Sequence, residues 1–127
     1  MLYLARKVIR MAQREFKSFT EFWPHYVVEH SRPATRLFHF VGTFAGIACL
    51  ILFIARGRWL LVPLAFVPGY AAAWFGHFFI ERNRPATFQH PVWSFLADYK
   101  MIALMMTGKM QREVARQIDA ETASNTL

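Results

Sequence analysis

The chain has 127 residues, enough for one domain, with 55% apolar and 18% charged side chains and thirteen Phe. That is rich for a small soluble domain. Its single Cys49 excludes a disulfide framework, and the net charge of +7 fits an anionic membrane or orientation within one.

Met1 to Met11 carries Arg6, Lys7 and Arg10 among its apolar residues, so it lacks the uninterrupted core of a signal peptide. Leu4, Val8, Met11 and Phe16 share one face of an expected amphipathic helix over residues 1–24, with Arg6, Arg10, Arg14 and Lys17 opposite. Leu37 to Ala55 is then a 19-residue apolar run whose only strongly polar member is His39. Trp59 to Ile80 is a 22-residue run in which His77 is the one residue titrating near neutrality. Both reach the length that spans a hydrocarbon core, about 20 residues. Arg56-Gly57-Arg58 joins them as a tight turn, and Pro63 and Pro68 read as kinks tolerated in a membrane. Gly42, Gly46, Gly69, Gly76 and Ala71 to Ala73 are small enough for close helix approach. Seven Lys and Arg precede the first run, six follow the second and two lie in the turn, which predicts both termini on the cytoplasmic side. Val92 to Met106 reads as an interfacial helix or a short third membrane element, Lys109 to Ala120 as a polar helix, and Glu121 to Leu127 as a frayed tail. The expectation is an all-α integral membrane hairpin in one domain, with a core over residues 25–106 and a polar end over 107–127.

A motif occurs twice, 52 positions apart. His25-Tyr26-Val27-Val28-Glu29-His30-Ser31-Arg32-Pro33-Ala34-Thr35 is followed by His77-Phe78-Phe79-Ile80-Glu81-Arg82-Asn83-Arg84-Pro85-Ala86-Thr87. His-x-x-x-Glu sets both side chains on one helix face. The Pro that follows ends that helix and suits the first position of the next. Ser31 or Asn83 supplies a turn or cap. His39 lies one turn into the first span and His77 about one turn before the end of the second, so an antiparallel hairpin brings them to one depth, with His30 just above. Three His with Glu81 or Glu29 nearby suit iron(II), zinc or a similar divalent ion. Ionisable residues inside spans are costly and usually functional. Glu29 and Glu81 can equally pair with Arg32 and Arg84, and those arginines can bind a lipid carboxylate or phosphate. His25 and His90 stand outside this set. No nucleotide loop, hydrolase triad or nucleic-acid module is present, and nucleic acid is not an expected partner.

His30 with its spacing to His39, and Gly76-His77-x-x-x-Glu81-x-x-Arg84-Pro85-Ala86, resemble the small membrane proteins related to the fungal 2-hydroxy fatty acid dioxygenase. Glu29-His30-Ser31, His39-Phe40-Val41-Gly42-Thr43, Asn83-Arg84-Pro85-Ala86-Thr87-Phe88 and Trp93-Ser94 with Asp98 match its bacterial branch, over about residues 18–106. The resemblance implies an iron(II)-dependent dioxygenase of fatty-acid α-oxidation that shortens a 2-hydroxy fatty acid by one carbon in a membrane. It implies His30, His39 and His77 as iron ligands and Glu81 as a fourth ligand or a partner of one. Arg32 or Arg84 would neutralise the substrate carboxylate, with the acyl chain among Phe40, Phe44, Phe75 and Phe79. This chain is shorter than the fungal protein, which leaves the acyl site open. The competing readings are a non-catalytic membrane scaffold or lipid-binding protein, and a zinc-dependent membrane hydrolase. Oligomeric state is not legible.

Overall fold

The first described helix, α1 (Phe19–Glu29), begins where Ser18 accepts a hydrogen bond from the Glu21 N–H and the Glu21 carboxylate reaches back to the Lys17 N–H. That reciprocal arrangement satisfies amides that a helix start leaves open. The structure is a computed structural model that describes residues 15–126. The face expected from Leu4 to Arg14 lies outside the described residues, and α1 runs through the boundary drawn at residue 24. After the break at His30, Pro33 opens α2 (Pro33–Ala55) from its first turn. Gly57, with φ of 64°, closes α2: the Gly57 N–H donates to Ile54 O and the Arg58 N–H to Phe53 O. Only a residue tolerant of the left-handed region fits there.

The second apolar run returns antiparallel to α2 and changes winding twice. It starts as a 3-10 segment, Trp59–Phe66, which contains Pro63. It continues as α3 (Val67–Phe75), with Pro68 in the first turn where no amide is needed. It ends as a single wide π turn, Gly76–Glu81, stopped by Arg82 at φ of 59°. Such π turns recur at functional sites, because the extra residue re-aims the side chains beside it. The second motif copy is thus followed by a short 3-10 turn, Ala86–Phe88, rather than by a helix opening at Pro85. Then come α4 (Pro91–Met106) and α5 (Met110–Asn125). Gly108, with φ of 70°, turns the chain between them.

Two packing regimes result. Phe22, Trp23, Tyr26 and Val27 of α1 bury against Ala97 and Met101 of α4 and Met110 and Val114 of α5. Each large apolar side chain in such a core contributes about 1.5–3 kcal/mol. The end expected to be polar therefore enters the core through Met110 and Val114, and its helix extends to Asn125 where a frayed tail was expected. α4 likewise joins this bundle with Ser94, Ala97, Met101 and Ile102 buried. The hairpin is different. Pro33–Ala55 and Trp59–Glu81 are long and apolar enough to cross a membrane, yet only 11% and 17% of their apolar windows are buried against protein. Leu37, Val41, Ile51, Leu60 and Phe79 all face outward. Contiguous apolar surface on that scale marks a membrane or protein contact rather than a water-facing wall. What holds the hairpin is small-residue contact. A Cβ on Gly42 would sit 2.6 Å from Ala72 Cβ, and one on Gly46 2.7 Å from Ala65 O.

Candidate metal centre

The break between α1 and α2 and the π turn bring three histidines together at the level where the hairpin meets the helical bundle. His30 follows the last residue of α1, His39 lies two turns into α2, and His77 is the second residue of the π turn. They are 1%, 5% and 2% exposed, so this cluster is set in the protein interior. Their Nε2 atoms form a triangle: His30 to His39 3.2 Å, His39 to His77 3.3 Å, His77 to His30 2.8 Å. The approach of the two strands of chain here is close, since a Cβ on Gly76 would meet Thr35 Cγ2 at 3.0 Å.

The other ring nitrogens settle the protonation pattern. His30 Nδ1 is 2.7 Å from the Tyr26 carbonyl, which can only accept. His39 Nδ1 is 3.1 Å from Asp98 Oδ1, a carboxylate. His77 Nδ1 is 2.7 Å from Asn83 Oδ1. The Asn83 amide is oriented unambiguously, because its Nδ2 donates to both the main-chain oxygen and Oε2 of Glu29. All three rings therefore carry hydrogen on Nδ1 and turn Nε2 to one point, the nitrogen on which a neutral imidazole has its lone pair. Burial, and then the neighbouring His39 and His77, push the His30 imidazole well below its ordinary range and keep it neutral. Three converging lone pairs at such distances repel unless a cation lies among them. A metal–nitrogen bond of about 2.1 Å requires N···N edges of about 3.0 Å in an octahedral face and about 3.4 Å in a tetrahedron. The observed edges fall around that range, and the fit to a divalent ion is good. Oxygen partners on the outer nitrogens are the usual support of metal-binding His.

Tyr26 braces the cluster twice. Its ring stacks on His30 with centroids 3.9 Å apart, and its hydroxyl donates to Asp98 Oδ1. Burial, and then Asp98, push its phenol well up, so it remains a donor. The small cavity at the cluster also touches Thr87 and Ser94. Ser94 Oγ is buried with no hydrogen-bond partner among the described residues.

Glu81 lies away from the triangle. Its Oε1 accepts from the Arg32 N–H at 2.8 Å, and its Oε2 is 3.9 Å from Arg32 Nε. Glu29 makes the reciprocal crossing, through Asn83. Each copy of the motif thus lends its glutamate to the break in the other copy. Glu29 is pushed up to about 7, by burial first, then by Glu81 and Glu121. The Arg32 and Arg84 side chains are exposed. Arg36 is the buried one: its Nη1 donates to the carbonyls of His30 and Ser31 and its Nη2 to Gln111. It caps the end of α1 and fixes the backbone that presents His30. His25 packs 5.1 Å from the Phe16 ring, and His90 stands beside Phe16 and Phe22, both apart from the triangle. The residues that sequence reasoning left without a role are Tyr26, Asp98 and Arg36. Asp98 did carry a signal: it is the one carboxylate in α4, a helix that is apolar apart from Ser94, Asp98, Tyr99 and Lys100.

Residues 16–110 match the family described as 2-hydroxy-palmitic acid dioxygenase Mpo1-like. No curated protein and no solved structure matches the chain. The match covers most of the chain and includes all three histidines and both motif copies, so the chain belongs to this family.

Proposed function

We propose that this member of the Mpo1-like family is an iron(II)-dependent dioxygenase that shortens 2-hydroxy fatty acids by one carbon at a membrane, with His30, His39 and His77 as the ligands. The observation that carries the reading is the triangle of Nε2 lone pairs, each fixed by an oxygen on the opposite ring nitrogen. Three protein ligands leave coordination positions open, which suits a chelating substrate and dioxygen. Bound iron would supply the redox chemistry that activates dioxygen towards the α-hydroxy acid. The overall reaction balances without an outside reductant: one hydroxy acid and one dioxygen give the shorter acid, carbon dioxide and water. The C1–C2 bond breaks, and dioxygen takes up the four electrons released.

The residues of the chain have distinct tasks in this reading. Tyr26, Asp98 and Asn83 hold the three rings in one tautomer. Arg32 and Arg84 attract the substrate carboxylate at the exposed rim. Ser94 donates from inside the cavity to a substrate oxygen. Glu81 acts as a strut between the breaks, and through them keeps His30 and His77 in register. The exposed apolar hairpin inserts in a bilayer with both termini on the cytoplasmic side, and the histidines sit at the interface, where an amphipathic acid places its head group.

The test is iron content of protein purified anaerobically in detergent, followed by dioxygen uptake and product analysis with 2-hydroxypalmitate. Stoichiometric iron, uptake and the acid one carbon shorter support the proposal. The same histidine set suits zinc. Bound zinc with hydrolysis, and no dioxygen uptake in the iron form, would replace it with the hydrolase reading. No bound metal would leave a scaffold or lipid-binding protein.

A further inference from the structure

A half-open groove of ≈ 100 Å³ follows the seam of the hairpin away from the histidines. Its α2 wall is Gly42, Gly46 and Leu50, spaced one turn apart on the face that carries His39. Phe66 and Tyr70 form the opposite wall, and Tyr99 of α4 leans over it. α2 touches the second span at Gly42 and Gly46, so the groove runs along the outside of this contact rather than between the helices. Asp98 and Thr87 line both this groove and the cavity at the histidine triangle, so the two spaces adjoin across these side chains. Asp98 and Thr87 stand at the histidine end, and beyond Thr43 the lining is aliphatic and aromatic, with Tyr70 and Tyr99 the only hydroxyls. The Phe40, Phe44, Phe75 and Phe79 set expected to hold the acyl chain lies off this path, and Phe44, Phe75 and Phe79 are exposed.

We propose that this seam is the acyl-binding groove and that Leu50 and Phe66 end it, making it a ruler for chain length. The occupant is a single saturated acyl chain whose head group lies at the histidines, and its identity as a 2-hydroxy acid rests on the dioxygenase reading. From His39 to Leu50 the helix advances about 16 Å at about 1.5 Å per residue. An extended alkyl chain advances roughly 1.25 Å per carbon, given C–C bonds of about 1.5 Å, so the groove accepts about 13 carbons beyond the head group. That matches acids of palmitate length and rejects much longer ones.

The test has a readout independent of turnover. A 2-hydroxypalmitate analogue with a photoreactive terminal carbon is crosslinked to the full chain in lipid nanodiscs, and the labelled peptide is mapped. Label at Leu50 or Phe66 that excess 2-hydroxypalmitate competes away supports the groove. Label confined to Phe44, Phe75 or Phe79 overturns it, as does label at the groove that excess 2-hydroxypalmitate leaves in place, which would mean a bilayer lipid occupies the seam. Leu50→Trp should move the label towards Gly46 and Tyr99. In active protein it should lower turnover of the palmitate-length acid relative to a much shorter one by on the order of tenfold or more, with iron content unchanged. Groove labelling without turnover in the wild-type chain would sink the dioxygenase reading and leave the groove standing. Turnover with an unshifted length profile in Leu50→Trp would do the opposite.

Discussion

Asn83 holds His77 from outside the histidine triangle, with Oδ1 2.7 Å from His77 Nδ1, and its amide cannot turn over because both hydrogens on Nδ2 are taken by Glu29. The first motif copy therefore sets the tautomer of a histidine in the second. Replacing Asn83 by Leu removes the acceptor and leaves Glu29 without its donor. Metal affinity should fall about 10- to 100-fold, the usual cost of losing such a support. Competition against a chelator of known affinity measures it. Unchanged affinity would mean that Asn83 does not orient the ring.

The triangle also makes a discriminating prediction about four of the five histidines. His30→Ala, His39→Ala and His77→Ala each remove one of three converging imidazoles and, if these hold the metal as proposed, should abolish stoichiometric metal binding. His90→Ala, beside Phe16 and Phe22, should leave it intact. Metal analysis of the four variants, with circular dichroism to confirm helicity, decides the matter. Equal metal content in all four would rule out the ligand set.

Close backbone contact, rather than large side chains, holds the hairpin together. A Cβ at Gly42 would lie 2.6 Å from Ala72 Cβ and 2.9 Å from Pro68 O, so neither neighbour is the end of a flexible side chain. Gly42→Leu should force the spans apart and destabilise the protein by about 1–3 kcal/mol, the range for overpacked interiors. Ala45→Leu, on the exposed face of the same helix, should be nearly neutral. Unfolding from mild detergent into dodecyl sulfate compares the two. Equal stability would show that Gly42 is not at a tight interface.

The histidine set and the hairpin were legible in the sequence because each depends on local rules. Span length, the depth of His39 and His77 along their helices, and the Pro that ends each motif copy all follow from short-range geometry. The role of the glutamates was not legible. Spacing puts Glu81 on the face of His77 in a regular helix, but the π turn and the left-handed Arg82 direct its carboxylate to the Arg32 amide. Winding that changes within one helix depends on what packs against it, and Thr35 against Gly76 is a contact between distant parts of the chain. The partnership of Asp98 with His39 likewise arises only when α4 docks.

Acid stability should report the docking of α5. The Glu113 carboxylate accepts from Trp23 Nε1 at 2.7 Å and from Arg116 and Gln117. The Arg116 hydrogen bond, outweighing burial and aided by Gln117 and Trp23, holds Glu113 down at about 2, against 4.5 for an ordinary glutamate. Because the folded value lies below the unfolded one, the contribution is fully present above about 4.5 and is lost as pH falls from there through about 2. Glu113→Gln keeps the size of the side chain and removes the charge, so its stability should be lower at neutral pH and converge on wild type in acid. Trp23 supplies the signal, since its indole is hydrogen-bonded only while α5 is docked against α1. Thermal unfolding followed by tryptophan fluorescence between pH 7 and about pH 2, wild type against variant, gives the difference directly. A gap that does not narrow on acidification would mean that the Glu113 charge plays no part in holding α5.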